Sequence, residues 1–393
     1  MTTMPLLILG FLVFALCIAG ILEHQLHLKS LSLIPLRIHV NGTRGKSSVT
    51  RLVAAGLREG GLKTFAKTTG TAPRVIDSNG KDRIIHRLRL PSIGEQVKLV
   101  DYFSKKNPQA IVIECMAVQP HYQWISEHKM IKSHIGVITN VRPDHLDEMG
   151  PTDDDVAKSL CNTVPCKATL VTSEYEKDFI IQEAAENNDT KYIQSNSKII
   201  SQTDLNKFSY MEHPSNIALA LDVCKIAGVD KKIAIKGMQK VKPDEGALVL
   251  WKLTKRENKV NFVNGMAAND PVSTKEIWDF ISEKYLNESL SCIFFNSRDD
   301  RPDRTRQMIE LTLKDIKPNY FIIRGDKIEN QIKYYLSESS KINIKVIGLD
   351  EKYDSVIKHF FELPPQTLVY AIGNQVGAGQ EILNRLSEYK SYD

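Results

Sequence analysis

Ile38-His39-Val40-Asn41-Gly42-Thr43-Arg44-Gly45-Lys46-Ser47-Ser48 decides the fold of this chain. A short apolar run, Ile38 to Val40, leads in, and an amphipathic run, Ser48 to Arg58, leads out. Strand, Gly/Lys/Ser turn and helix together build a nucleotide phosphate cradle. Backbone N–H groups and the helix N-terminus face the phosphates, Lys46 neutralises them, and Ser47 is placed to hold Mg²⁺. The expected ligand is ATP. The general loop is G-x-x-x-x-G-K-[ST], whose first glycine would fall on Val40. Here the loop is the shorter G-T-x-G-K-S, starting at Gly42. A chance Gly-Lys-Ser turn is the bland alternative, and the flanking strand and helix argue against it.

Outward from the cradle, short apolar runs alternate with helical ones. The β-branched runs predict strands at Leu36–Val40, Ala110–Glu114, Ile135–Asn140 and Thr169–Thr172. Val49, Leu52, Val53, Gly56 and Leu57 recur at helical spacing, and Gly60-Gly61 stops that helix. A second set follows Pro243-Asp244-Glu245-Gly246. Its strands are Val260–Val263, Cys292–Phe295, Tyr320–Ile323, Ile344–Ile347 and Leu368–Ile372, with helices at Ser273–Tyr285 and Arg304–Lys314. The pattern is α/β with mostly parallel sheets, whose ligands sit at the carboxyl ends of strands. A domain boundary is expected near 242–248.

Several polar groups fall at such strand ends. Glu114 closes Ile111-Val112-Ile113-Glu114 and is a candidate Mg²⁺ ligand beside Ser47. Asp144-His145-Leu146-Asp147 follows another strand and would complete a metal site. Lys67-Thr68-Thr69-Gly70-Thr71-Ala72-Pro73-Arg74 is predicted to be a polar loop suited to an anionic substrate or the metal shell. Arg87, Arg89 and Lys98 are expected on a solvated face. Ser215-Asn216 opens a helix, with Ser215 as the expected N-cap and Asn216 free to hydrogen-bond a base or sugar. Asn296 and Arg298 are placed to reach phosphates, and glycine-rich turns at Asn264–Asp270 and Gly373–Gly379 are further anion candidates.

Composition sets the limits. The chain has 393 residues, 42% hydrophobic and 25% charged, with a net charge of +5. That is ordinary for a globular protein of two domains. No basic, aromatic-studded stretch points to nucleic acid. Cysteines at 17, 115, 161, 166, 224 and 292 have no C-x-x-C spacing, so neither zinc nor a disulfide framework is expected. Met4 to Leu22 carries no charge. As a helix it would be roughly 28 Å long, close to a hydrocarbon core. Residues 1–5 lack the basic n-region of a signal peptide. The first cations after the segment are Lys29 and Arg37, with His24 and His27 between. The positive-inside bias then puts the body in the cytoplasm, as a single-pass membrane protein.

In this order the motifs resemble the Mur-ligase superfamily over roughly residues 36–380. Within it they look like the ligase subunit of bacterial poly-γ-glutamate capsule synthases, the CapB or PgsB type. The stretches that carry the likeness are NGTRGKS, AKTTGTAPR, IVIECMAV, ITNVRPDHLDEMGPT, VNGMAAND, NSRDDRPDRT and AIGNQVGAG.

The resemblance implies an N-terminal membrane anchor and juxtamembrane segment at 1–30. A Mur-ligase-like ATP-binding central domain would cover 31–245, and a C-terminal Rossmann-like α/β domain 246–393. It also implies an ATP- and Mg²⁺-dependent amide ligase. ATP phosphorylates the terminal γ-carboxylate of a glutamate chain, and the amine of an incoming glutamate displaces phosphate. Partners would be glutamate, the growing poly-γ-glutamate chain, and small membrane subunits of the same capsule synthase. The catalytic candidates are Lys46, Glu114 and His145. Gly42, Thr43, Arg44, Gly45, Lys46, Ser47 and Ser48 would bind the nucleotide, Asn216 its base and Arg298 its phosphates. Ser47, Thr69 and Glu114 would ligate one metal, and Glu114 with His145 a second. Three departures stand out. The superfamily's carbamylated lysine has no aligned partner in Lys158 or Lys167. Its G-R motif is Gly246-Ala247-Leu248, and its D-D/Y-A-H-N-P run has Ala268 where His would stand. An assembly module that binds nucleotide without making a bond is the alternative, and a phosphotransferase to a small molecule is a third.

Overall fold

The computed structural model describes the chain except residues 1–2, 71–72, 88–90, 206, 209, 243–247, 267–269, 287–288, 298–301, 326–327, 329–331, 333–341 and 392–393. It divides into two compact units: Met1–Phe208 with Glu212–Asp244, and Ser209–Met211 with Glu245–Asp393.

The first unit begins with helix α1, Thr3–Ser32. The large apolar side chains of Met4 and of the stretch from Leu7 to Leu26 are exposed. Leu7–Ser32 is long and apolar enough to cross a membrane. Packing on the body starts at His27, Ser30 and Leu31, all buried. Leu31 joins Ile34, Phe65, Val100, Phe103, Ile111, Ile113 and Ile131 in one apolar cluster. Burial of this kind stabilises by about 25 cal/mol for each Å² removed from water.

The strands of this unit are β1 Leu36–Asn41, β2 Thr64–Thr68, β3 Arg74–Ile76, β4 Asp82–Ile84, β5 Ala110–Glu114, β6 Ile135–Ile138, β7 Thr169–Thr172 and β8 Lys191–Gln194. They form one sheet in the order β4-β3-β2-β5-β1-β6-β7-β8. Pairing is parallel from β2 through β8, and β3 and β4 add antiparallel. The register sets Val40 beside Glu114 and Asn41 beside Ile138. The end of β1 is therefore flanked by the ends of β5 and β6, in the crevice where open α/β sheets bind ligands. Helix α2, Lys46–Glu59, follows the cradle and buries Val49, Leu52, Val53 and Leu57.

Strands at 36–41, 110–114, 135–138 and 169–172 agree with the sequence reading within a residue or two. The stretch from Lys67 to Arg74 does not. Lys67 and Thr68 end β2, and Arg74 starts β3. All five β2 residues are buried, yet Thr64, Lys67 and Thr68 are polar, so no apolar period marks the strand.

The second unit carries β9 Leu250–Lys255, β10 Asn258–Asn264, β11 Ser291–Asn296, β12 Tyr320–Arg324, β13 Asn343–Ile347 and β14 Leu368–Gly373. The order is β13-β12-β11-β14-β10-β9, parallel except for the antiparallel edge β9. Apolar clusters cover the two sheet faces, one around Ile293, Phe295, Ile323 and Tyr370, the other around Phe262, Phe294, Phe360 and Val369. Strand side chains alternate between faces, which is why neighbours Phe294 and Phe295 enter different clusters. The predicted helix at 304–314 is α-helical over Pro302–Glu310 and continues as a π-helix over Leu311–Ile316.

Candidate active site

The cradle is held by its own backbone. Gly42 has φ +130° and Gly45, the N-cap of α2, has φ +81°. Both lie where side chains are strained. A Cβ at Gly42 would also stand 2.0 Å from Thr139 Oγ1, and one at Gly45 2.7 Å from Asn216 Oδ1. Lys46 Nζ bends back over the loop and donates to the carbonyls of Gly42 at 2.6 Å and Thr43 at 3.2 Å. Its charge thus sits at the mouth of the cradle.

Three of the predicted metal ligands meet. Ser47 Oγ donates to Glu114 Oε2 at 2.8 Å. Thr69 N donates to the same oxygen at 2.7 Å, and Thr69 Oγ1 donates to Glu114 Oε1. Glu114 is only 2% exposed. This is an all-oxygen donor set with one carboxylate, which suits Mg²⁺ because that ion keeps several waters and takes few protein ligands. Among the described residues no group of three or more His, Cys, Asp and Glu side chains could hold a metal.

His145 stands apart from that set. Its ring is half exposed, with Nε2 3.9 Å from Asp144 Oδ1 and Nδ1 3.7 Å from Glu148 Oε2. No hydrogen bond or ion pair joins it to Glu114 among the described residues. Asp144 connects its loop to the cradle, 3.8 Å from Arg44 Nη2. Asn216 lies against Gly45 and donates through Nδ2 to Glu212 Oε1 at 2.8 Å. Ser215 is not the N-cap of its helix. The helix is Pro214–Ile226, capped by His213, whose Nδ1 accepts from Ser215 N at 3.2 Å. Burial, with Arg142 nearby, lowers the His213 pKa and keeps that nitrogen free to accept.

Sequence reading missed the pair that staples the loop. Thr139 N donates to Asn41 O, and Thr139 Oγ1 donates to Arg44 O at 2.6 Å. Asn140 Oδ1 accepts from Thr43 Oγ1 at 2.7 Å and from Arg44 N at 3.0 Å. Its Nδ2 donates to Arg44 O at 3.3 Å. The signal was present, since Thr139-Asn140 ends a predicted strand beside the cradle.

Around the site, Lys67 is fully buried with Nζ 3.5 Å from Glu95 Oε1. Burial pulls its pKa down against the opposing pull of Glu95 and Glu114. Arg87 is not a solvated charge. Its Nε and Nη2 grip Glu95 at 2.7 and 3.1 Å. Lys98 is exposed as expected. Behind β1, buried His39 Nδ1 lies 2.8 Å from Glu127 Oε2, and Asn41 Nδ2 donates to Gln123 Oε1 at 2.8 Å. Lys167 precedes β7, at the sheet edge opposite the cradle.

In the second unit, Asn296 Nδ2 donates to Asn374 O at 2.7 Å. Arg298, Ala268, Gly246, Ala247, Arg89, Thr71 and Ala72 lie outside the described residues.

The model of the Mur ligase middle domain matches residues 40–241, and that of the poly-gamma-glutamate synthase CapB C-terminal domain matches 250–389. PGA synthase CapB of Bacillus subtilis (strain 168) is 38% identical over 378 residues, 95% of each chain. Capsule biosynthesis protein CapB of Bacillus anthracis is 37% identical over 385 residues, 97% of this chain and 82% of the relative. Among solved structures, a bifunctional folylpolyglutamate synthase/dihydrofolate synthase from Yersinia pestis CO92 superposes with a TM-score of 0.67 over 92% of each chain, at 12% identity. The same enzyme complexed with AMPPNP and Mn ion gives 0.65. At that identity the likeness is one of fold. Full-length identity and two adjoining domain matches agree: the chain belongs to the Mur ligases, in the poly-gamma-glutamate synthase CapB family.

Proposed function

We propose that this chain is an ATP-dependent amide ligase that extends poly-γ-glutamate by one glutamate per turnover, at the cytoplasmic face of a membrane. The observation that carries the reading is the convergence of Ser47, Thr69 and Glu114 beside Lys46, at the ends of adjacent parallel strands. The terminal γ-carboxylate oxygen of the poly-γ-glutamate attacks the γ-phosphorus of ATP, and ADP leaves. The amine of the incoming glutamate attacks the acyl carbon of the acyl phosphate. Inorganic phosphate departs with the former carboxylate oxygen, and the nitrogen releases its proton.

Lys46 holds the β/γ-phosphates and stabilises charge during transfer. The loop amides between Gly42 and Ser48 cradle the phosphates, and Asn216 and Arg298 are assigned to the nucleotide. Ser47, Thr69 and Glu114 would hold Mg²⁺, and Glu114 with His145 a second ion. Such an ion supplies charge screening that lets a phosphate and a carboxylate meet.

In this reading helix α1 is the anchor, which its length and apolar composition support, and Lys29 and Arg37 on its carboxyl side favour a cytoplasmic body by the positive-inside bias. Small membrane subunits of the same synthase complete the working assembly. A glutamate substrate is in keeping with a structural neighbour solved with Mn, AMPPNP and L-glutamate bound. The test supplies the reconstituted membrane complex with ATP, Mg²⁺ and glutamate. Phosphate release, polymer, and a hydroxamate trapped by hydroxylamine are expected. Nucleotide binding with no trapped hydroxamate and no polymer would sink the reading in favour of an assembly module.

A further inference from the structure

The carboxyl edge of the first sheet holds the cradle, and the amino edge carries a different set of charges. Lys63 precedes β2, Lys105 and Lys106 precede β5, Lys132 precedes β6, Lys167 precedes β7, and Lys191 opens β8. Asp101, 2.7 Å from Lys105, and Asp189 stand on the same edge and offset part of that charge. A lysine near a helix C-terminus is ordinary taken singly, since it complements the helix dipole. Two further observations go beyond that.

First, a pocket of about 420 Å³ opens on this edge between the starts of β1, β6 and β7, with Arg37, His128, Lys132, His134, Cys166 and Lys167 in its wall. Glu127 also lines it, but its carboxylate is engaged by His39 and by Ser133 N and Oγ. Lys132 and Lys167 are exposed, and neither has a carboxylate within ion-pair distance among the described residues. Both adopt left-handed backbone, φ 49° and 52°, where glycine is favoured.

Second, α1 leaves the body at this same edge. Arg37 donates to the carbonyls of Leu31 at 3.0 Å and Ile34 at 2.9 Å, where α1 ends. It also donates to Ile131 O at 3.0 Å and Lys132 O at 2.9 Å, where helix 126–131 ends. One guanidinium thus fixes the anchor helix to the pocket wall.

We propose that the amino edge of this sheet rests on an anionic lipid surface, with Lys132 and Lys167 holding a lipid phosphate in the pocket beside Arg37. The proposal rests on the reading of α1 as a membrane span. It places the cradle about 20 Å farther from the lipid, the length of the six-residue β1.

The full-length chain is reconstituted in nanodiscs of phosphatidylcholine alone, or with about a third phosphatidylglycerol. Amide hydrogen exchange is followed at residues 129–136 and 164–169. Exchange there is expected to slow by about fivefold or more in the anionic discs, with residues 41–47 unchanged. The double substitution Lys132→Gln, Lys167→Gln should remove that slowing and leave the KM for ATP unaltered. Equal exchange in both disc types, or slowing that survives the double substitution, overturns the proposal. Equal protection by millimolar inorganic phosphate in phosphatidylcholine discs overturns it in favour of a soluble anion. Retention of the chain in neutral discs reads the anchor separately. Failure there overturns the membrane reading and this proposal with it, whereas retention with equal exchange overturns the proposal alone.

Discussion

Replacing Asn140 by alanine tests whether the cradle is preorganised from the neighbouring strand end. Asn140 is half-buried, and its Oδ1 accepts from Thr43 Oγ1 at 2.7 Å and from Arg44 N at 3.0 Å. The third contact, Nδ2 to Arg44 O at 3.3 Å, is weaker by its length. Two well-formed hydrogen bonds at about 1 kcal/mol each give roughly 2 kcal/mol lost from loop order. That cost falls on the conformation that receives phosphate, so ATP affinity should fall by about 30-fold. The assay is phosphate release against ATP concentration, with a thermal melt to confirm folding. KM for ATP should rise far more than kcat falls, because the missing bonds shape the loop in ground and transition states alike. Asn140→Asp keeps the acceptor but adds a negative charge beside the phosphates, so it should also bind ATP weakly. A folded Asn140→Ala protein with ATP KM within about twofold of the parent would refute the reasoning.

Other perturbations test neighbouring claims. Lys46→Ala and Glu114→Gln should each reduce turnover by at least about 100-fold with the melt little changed, read as phosphate and hydroxamate production. Gly42→Ala combines a strained φ with a Cβ 2.0 Å from Thr139 Oγ1, so nucleotide binding should be lost in equilibrium titration. Arg37→Ala frees carbonyls at the ends of two helices and should lower stability by about 2–4 kcal/mol in a denaturant melt. His39 gives a pH dependence. Burial pulls its pKa down, but the Cys115 thiol beside the ring and the Glu127 carboxylate more than reverse this, raising it to about 9. The folded value exceeds the unfolded one of about 6.5, so the native state holds the extra proton between them. That contribution is full below about pH 6.5 and fades as pH rises to about 9. Stability measured across that window should fall more steeply in the parent than in His39→Gln.

The apolar N-terminal helix and the glycine-rich loop were legible in the chain because each is local. Met4–Leu22 is apolar on every face, and Gly42, Gly45, Lys46 and Ser47 act through neighbours in sequence. Glu114 was also legible, since a carboxylate ending a β-branched run in a parallel sheet points at the ligand crevice. β2 was not, because its polar residues are buried by other strands and show no period of their own. Arg87 looked solvated because its partner Glu95 comes from the following helix, and a side-chain pair across a turn leaves no pattern.

By itself, then, the sequence determined the α/β class, the strand–cradle–helix unit and the identity of the polar groups at the strand ends. Backbone conformation and side-chain chemistry are properties of short stretches, and short stretches can be read. The tertiary structure decided which of those groups meet. Parallel pairing of β1 with β5 and β6 brings Glu114, Thr139 and Asn140 to the cradle from residues far along the chain. It also gathers lysines from the starts of separate strands at the edge from which α1 departs. Sheet order and register do this, and they are fixed by burial across the whole unit rather than by any one segment.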